Sequence, residues 1–390
     1  MTIARRPLVP GLRPVLLATA FALAAVPATA QEGEAPPPRA GVAPPPAEVA
    51  PPPVAGPPPD VAVPPPDTLP PPPSVDVQLP EIVEMPAPVD LSPATVNTAV
   101  YDGTPLPEGE SAVVLKLQVL LDRAGFSPGV IDGVLGENVA KAVTAAEAVA
   151  GLPQDGVVDT ELWKALMPFD DQAVLVAYTI TRDDVDRPYV PNLPSDYSAL
   201  ATLPESAYRT PREMLAERFH MDEELLARLN PGADFGTAGT DILIAAAGAP
   251  VKDRRVSYLI ADKTRKQLLG YDSANRLVVS YPATIGSAEL PSPSGTHTVN
   301  EIVPDPTYYY RPDVNFQQGD NTEPLTVPPG PNNPVGTTWI DLTEPTYGIH
   351  GTPEPSLIDK TSSHGCVRLT NWDAAELATL LEKGVPVEFR

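Results

Sequence analysis

Apolar positions recur at helical spacing in the first half of the chain and at strand spacing in the second. In "SAVVLKLQVLLDRAGF" Val114, Leu117 and Leu121, with Leu120 beside them, share one helical face, and Gly125 follows as a stop. "DGVLGENVAKAVTAAEAVAGL" predicts a turn and a second helix ending near Gly151; "DGVVDTELWKAL" predicts another turn and a third helix capped by Asp159. Asp132-Gly133-Val134 and Asp155-Gly156-Val157 are one device used twice, in which Asp-Gly makes the turn and the valine is expected to plug the core. Tyr178-Thr179-Ile180 reads as a short strand, Pro211 to His220 and Asp222 to Leu229 as helices, and "DILIAA" as a strand after the break at Asn230-Pro231-Gly232. His220 is expected at a helix end in a structural role. From Val256 on, "VSYLIAD", "QLLGYD", "LVVSYPATIG", "GTHTVNEIV" and "TTWIDL" are short β-branched or aromatic runs between Gly/Pro connections. "NWDAAELATLLEKG" is one late helix, with Ala374, Leu377 and Leu381 on one side and Gly384 to close it; "VPVEFR" is a last strand. The fold class this predicts is multidomain: a small all-α three-helix unit, a small α+β module, and a mostly-β domain with a C-terminal helix and strand.

Composition adds what precedes these elements. Arg5, Arg6 and Arg13, the apolar run "VLLATAFALAAV" and "ATA" ending at Ala30 have the layout of a signal peptide. From Gln31 the chain turns to repeated proline ("APPPRAGVAPPPAEVAPPPVAGPPPD"), which lacks the amide donors of helix or sheet and predicts an extended spacer. The expected organisation is therefore signal peptide 1–30, Pro-rich linker 31–100, helical domain 101–170, α+β module 171–250 with an insertion at 186–206, and mostly-β domain 251–390. No later run reaches the roughly 18 apolar residues of a membrane span. The formal charge of −24 argues against nucleic acid, which needs a basic surface. The expected location is outside the cytoplasm, in a periplasm.

Export changes the meaning of the single cysteine, Cys366, which cannot form an internal disulfide and is a liability in an oxidising compartment. It lies in "HGTPEPSLIDKTSSHGCVRL", with His350 and His364 close by. A cysteine nucleophile needs a base and free backbone N–H groups to hold an oxyanion. Gly365 lets the backbone turn sharply beside the sulfur. Two histidines compete for the base. His350, ending the strand "TYGIH", is favoured over His364 because a strand holds it rigidly and the neighbouring backbone can fix its tautomer; Asp359 or Asp373 could also orient it. The residues predict that the imidazole ionises the sulfur to a thiolate.

Three resemblances attach to these residues. "LQVLLDRAGF", "IDGVLG" and "GLPQDGVVDTELWKAL" resemble the three-helix peptidoglycan-binding domain, with "AEAV" in place of the family's Phe-Gln. "LAERF" and "LLARLNPG" in a βααβ order look like a LysM glycan-binding module. His350-Gly351 followed by Ser363-His364-Gly365-Cys366-Val367-Arg368-Leu369, with "VPPGPNNPVGTTWIDL" and "SPSGTHTV" upstream, resembles the L,D-transpeptidase (YkuD-type) catalytic family, from which Ser292 and His297 depart.

The last resemblance implies Cys366 as nucleophile, His350 as base and acid, the Gly351 carbonyl orienting His350, and N–H groups of Gly365 and Cys366 stabilising an oxyanion. Ser363, His364 and Arg368 would shape or contact substrate, and Tyr308, Tyr309 and Tyr310 would wall the groove. The implied reaction is acyl transfer on peptidoglycan stem peptides through a Cys thioester, releasing D-Ala and forming 3→3 cross-links or linking an envelope protein. The rival readings are hydrolysis of the same bond (an L,D-carboxypeptidase) and a non-catalytic wall-binding protein. No cofactor is implied, and His297, His220 and the acids show no zinc spacing. The implied partners are glycan strands and stem peptides.

Overall fold

A computed structural model describes residues 89–248, 254–287 and 290–390. The expected signal peptide and nearly all of the expected linker lie outside the described residues. The last part of that linker segment carries structure: α1 (Pro93–Thr98) is capped by Ser92 and buries Val96. The Asn97 side chain accepts from the Val174 and Leu175 amides at 2.9 and 2.8 Å, tying this segment to the module that follows.

The helical unit is α2 (Ala112–Ala124), α3 (Glu137–Ala150) and α4 (Thr160–Leu166). Gly125 and Gly151 end α2 and α3 in left-handed conformations, and the Asp159 carboxylate accepts the Leu162 amide at 2.7 Å. Both Asp-Gly turns form alike: Asp132 and Asp155 each accept the amide two residues on, at 2.9 Å. The valines do not plug the core as expected. Val157 is 61% exposed and Val134 half-buried; Ile131 and Val158 fill the interior instead.

The second module pairs β1 (Leu175–Thr179) antiparallel with β2 (Asp241–Ala245). Between them lie α5 (Arg182–Val185), α6 (Tyr197–Leu200), α7 (Pro211–Arg218) and α8 (Glu223–Leu229). This module and the helical unit share one core, in which Leu117, Leu121, Leu162, Met214, Leu225 and Ile244 meet.

The C-terminal domain is a nine-stranded sheet made of β3 (Tyr258–Asp262), β4 (Gln267–Tyr271), β5 (Leu277–Pro282), β6 (Thr284–Ile285), β7 (Gly295–Pro304), β10 (Thr338–Leu342), β11 (Gly348–His350), β12 (Val367–Arg368) and β13 (Pro386–Phe389). A separate hairpin joins β8 (Tyr308–Tyr310) to β9 (Leu325–Val327). The sheet order is β5-β4-β3-β13-β7-β10-β11-β12-β6. Helix α9 (Asn371–Leu380), capped by Thr370, buries Ala374 and Leu377 against the sheet. It ends at Leu380, so Gly384 lies beyond it, in the turn before β13.

The two cores meet through polar contacts. The Asn371 side chain donates to Glu217 Oε1 of α7 at 3.0 Å, and Asn332 donates to Glu213 at 2.9 Å. His220 bonds Asp122 at 3.0 Å and stacks on Trp372, the structural role expected of it. Burial pushes the Glu217 carboxyl up to about 7, against the pull of hydrogen bonds from Asn371 and Tyr208. A carboxyl raised in the fold binds its proton more tightly there than in the unfolded chain. Its contribution to stability is full below its ordinary value and is lost as pH rises through about 7. The melting temperature is therefore expected to fall between pH 5 and 8.5, and Glu217→Gln to flatten that slope. A shift of this size is worth at most about 3 kcal/mol, less for a group only partly buried. Thermal melts at several pH values test this; a slope unchanged by Glu217→Gln refutes it.

Candidate active site

Parallel pairing of β11 with β12 sets Ile349 opposite Val367 and His350 opposite Arg368. Side chains alternate along a strand, so His350 shares a sheet face with Arg368, and Cys366 stands in the turn that leads directly into β12. The pairing brings His350 and Cys366 to one site. Both line one cleft of about 280 Å³, together with Tyr197, Tyr308, Phe316 and Arg368.

His350 is buried and held from two sides. Its Nδ1 lies 2.7 Å from the Gly351 carbonyl, so Nδ1 carries the proton and donates, leaving Nε2 as the acceptor. Trp339, its cross-strand partner, stacks on the ring at 5.6 Å. Gly348 makes room for that indole: a Cβ there would come 2.5 Å from the Trp339 ring. No hydrogen bond among the described residues fixes His364, whose ring stacks on Phe316 at 3.7 Å. Asp359 and Asp373, considered as orienting acids, are engaged elsewhere: Asp359 with Lys141 and Lys266, Asp373 with Ser127.

The turn before Cys366 is stitched by two serines. Ser363 Oγ donates to the Cys366 carbonyl at 2.6 Å and accepts the amides of Gly286 at 2.7 Å and Gly365 at 3.3 Å. Ser292 Oγ donates to the Gly365 carbonyl at 2.6 Å. Ser363 lines the cleft with His364, but its hydroxyl is engaged within the turn, and the Gly365 N–H, expected as an oxyanion donor, already has a partner. Gly365 has φ +107°, and a Cβ there would lie 2.6 Å from the Tyr347 ring, so glycine is required on both counts.

The electrostatics describe the pair at rest. Burial pushes the Cys366 thiol up to about 11, although the Gly348 N–H and Arg368 oppose it. Burial, reinforced by Arg368, holds His350 down at about 3, although its bond to Gly351 opposes this. The resting pair is a neutral thiol and a neutral imidazole. Sγ sits 3.8 Å from the Thr346 carbonyl.

The three tyrosines separate by strand alternation. Tyr308 lines the cleft, Tyr309 is 69% exposed, and Tyr310 is fully buried, so Tyr309 and Tyr310 are not groove walls. His297 pairs with Glu344 at 3.4 Å on β7. Sequence reasoning missed Trp339, Phe316 and Tyr197. The cross-strand register of "TTWIDL" with "YGIH" was the available signal for the first; the other two had none.

A buried imidazole with one nitrogen locked lines the same cleft as a thiol in the turn before the neighbouring strand. Two family models match: "L,D-transpeptidase catalytic domain" over residues 256–389 and "Putative peptidoglycan binding domain" over 110–166. The chain is 31% identical over 177 residues to "Putative L,D-transpeptidase YkuD" of Bacillus licheniformis, covering 45% of this chain and 90% of that protein. It is 29% identical over 207 residues to "Probable L,D-transpeptidase YbiS" of Escherichia coli, covering 50% and 67%. Among solved structures it is similar to an L,D-transpeptidase from Xylanimonas cellulosilytica, at 17% identity and a TM-score of 0.33, covering 75% of this chain and 100% of that one. The chain belongs to the YkuD-type L,D-transpeptidase family and carries a peptidoglycan-binding domain. Among the described residues no helix is long and apolar enough to cross a membrane.

Proposed function

We propose that this chain is a periplasmic L,D-transpeptidase that acts through a Cys366 thioester on peptidoglycan stem peptides. One observation carries the reading: the His350 Nδ1–H bond to the Gly351 carbonyl, which leaves Nε2 as the acceptor in the cleft that Cys366 also lines. Since both groups rest neutral, the thiol proton passes to Nε2 as sulfur attacks the carbonyl of the third-position diamino acid. The Cys366 amide is the turn donor for the resulting oxyanion. The C–N bond to D-Ala then breaks, and His350 returns the proton to the leaving amine. An incoming amine attacks the thioester, gives its proton to His350, and expels sulfur, which is reprotonated. A stem-peptide amine as acceptor yields a 3→3 cross-link; an envelope-protein amine yields a wall-anchored protein. The upstream domain holds the enzyme on its polymer.

The test is to incubate the chain with a disaccharide-tetrapeptide and follow it by intact-mass spectrometry. The expected adduct equals the donor minus D-Ala and maps to the peptide carrying Cys366. Cross-linked dimer in the products supports transfer, whereas tripeptide alone shows hydrolysis. No adduct and no released D-Ala would overturn the reading.

A further inference from the structure

The insertion at 186–206 interrupts the second module, yet its hydrogen bonds run into the catalytic domain. Midway along it the Tyr197 amide donates to Gln318 Oε1 at 3.2 Å, Gln318 Nε2 donates to the Ser195 carbonyl at 3.1 Å, and Asn321 donates to Asp196 at 3.1 Å. At its end the Ser206 amide donates to the Pro329 carbonyl at 2.8 Å, and the Asn332 amide to the Ser206 carbonyl at 2.9 Å. A Cβ on Gly330 would sit 2.4 Å from the Ser206 carbonyl oxygen, so the two backbones are in direct contact.

Tyr197 belongs to the first of these anchors. Its ring packs edge-on against Tyr308 and Tyr310 at 5.8 and 5.3 Å, and against Phe316 at 6.2 Å. It thereby lines the cleft that holds Cys366. Arg368 lines the same cleft. Its Nε is buried without a hydrogen-bond partner, and among the described residues no carboxylate pairs with it. The ionisable groups that act on its charge are Tyr197 and Cys366. A guanidinium with no carboxylate partner among the described residues, in a cleft that Tyr197 also lines, matches a ligand carboxylate: the fork can donate to the oxygens and the phenol hydroxyl can add one more bond.

We propose that the 186–206 insertion completes the catalytic site, and that Tyr197 with Arg368 forms a carboxylate-reading end of the cleft that selects stem peptides carrying a free carboxylate. The inference rests on the acyl-transfer reading and deepens it: substrate choice is set partly outside the catalytic domain.

Binding is measured by calorimetry on the full chain carrying Cys366→Ala, so that no turnover intervenes. The ligands are the tetrapeptide stem and the same peptide with its carboxylates converted to amides. The free acid is expected to bind more tightly. Tyr197→Phe keeps the ring packing and is expected to weaken the free acid about 10-fold, a hydrogen bond to a charged group, while leaving the amide unchanged. Tyr197→Ala is expected to weaken both through loss of the wall. Equal binding of acid and amide, no binding of either, or an unaltered affinity in Tyr197→Phe each overturns the proposal. A Tyr197-dependent preference for the acid in a chain whose wild type forms no adduct would sustain it and sink the transfer reading instead.

Discussion

His350→Gln is expected to slow acylation of Cys366 by about 10²–10⁴-fold, the range a positioned general base supplies. The pH profile carries more information than the magnitude. With the thiol at about 11 and the imidazole at about 3, neither group titrates between pH 5 and 9, so wild-type acylation is expected to be flat there. A preformed thiolate–imidazolium pair would instead give a rising limb where the pair forms. In His350→Gln the residual rate must come from the small ionised fraction, and should climb about tenfold per pH unit. Iodoacetamide, which needs no protein base, offers an independent reading: at pH 7.5 only roughly 0.03% of a thiol with this pKa is ionised, so alkylation should be slow and should rise with pH up to about 11. Rapid alkylation that plateaus near pH 6 would show that the pair is already charged. A sulfur that stays protonated until substrate fills the cleft is spared oxidation, since the thiolate is the oxidisable form.

The candidate pair His350 and Cys366 was legible because its geometry is local. A histidine closing one short strand and a cysteine just before the next are brought to one cleft once the strands pair, and Gly365 marks the turn beside the cysteine. Asp132, Asp155, Asp159 and Gly125 were legible for the same reason, since caps and turns involve residues only a few positions apart. The misses all depend on partners distant in sequence. Val157 follows an Asp-Gly turn as Val134 does, but nothing local says that Val158 points inward instead. The run of three tyrosines shows that Tyr309 opposes its neighbours, not which side faces the cleft. The shared core of the helical unit and second module is invisible to periodicity, which reports that a face is apolar and not what covers it. Tyr197 was the hardest case, because it belongs to a different module from the site it lines. The resting charge state was not legible, because burial raises a thiol and lowers an imidazole and cannot be read from spacing.

Gly351→Ala is expected to damage stability and chemistry together. A Cβ on Gly351 would lie 2.1 Å from Asn371 Oδ1 and 3.2 Å from Asn371 Cα. That amide cannot swing aside freely: Oδ1 accepts the Thr337 amide at 3.2 Å, and Nδ2 donates to Glu217 at 3.0 Å and to the Pro331 carbonyl at 3.1 Å. Gly336 crowds the same oxygen, with a Cβ distance of 2.0 Å. Overpacking of this kind costs about 1–3 kcal/mol, and each buried hydrogen bond broken adds about 1–3, so a loss of roughly 3–5 kcal/mol is expected by denaturant titration. Because the Gly351 carbonyl orients His350, the folded fraction should also acylate more slowly, with the deficit normalised to folded protein. Asn371→Ala alone should destabilise by removing the three bonds, but in the double variant Gly351→Ala/Asn371→Ala the new methyl has space. The double variant should therefore lose less than the sum of the single losses, by about 1 kcal/mol or more. Strict additivity, or a Gly351→Ala chain that unfolds like wild type, would mean that the two residues do not share one site. The expected coupling would make Asn371 the contact through which the second module, by way of Glu217, bears on the orientation of the base.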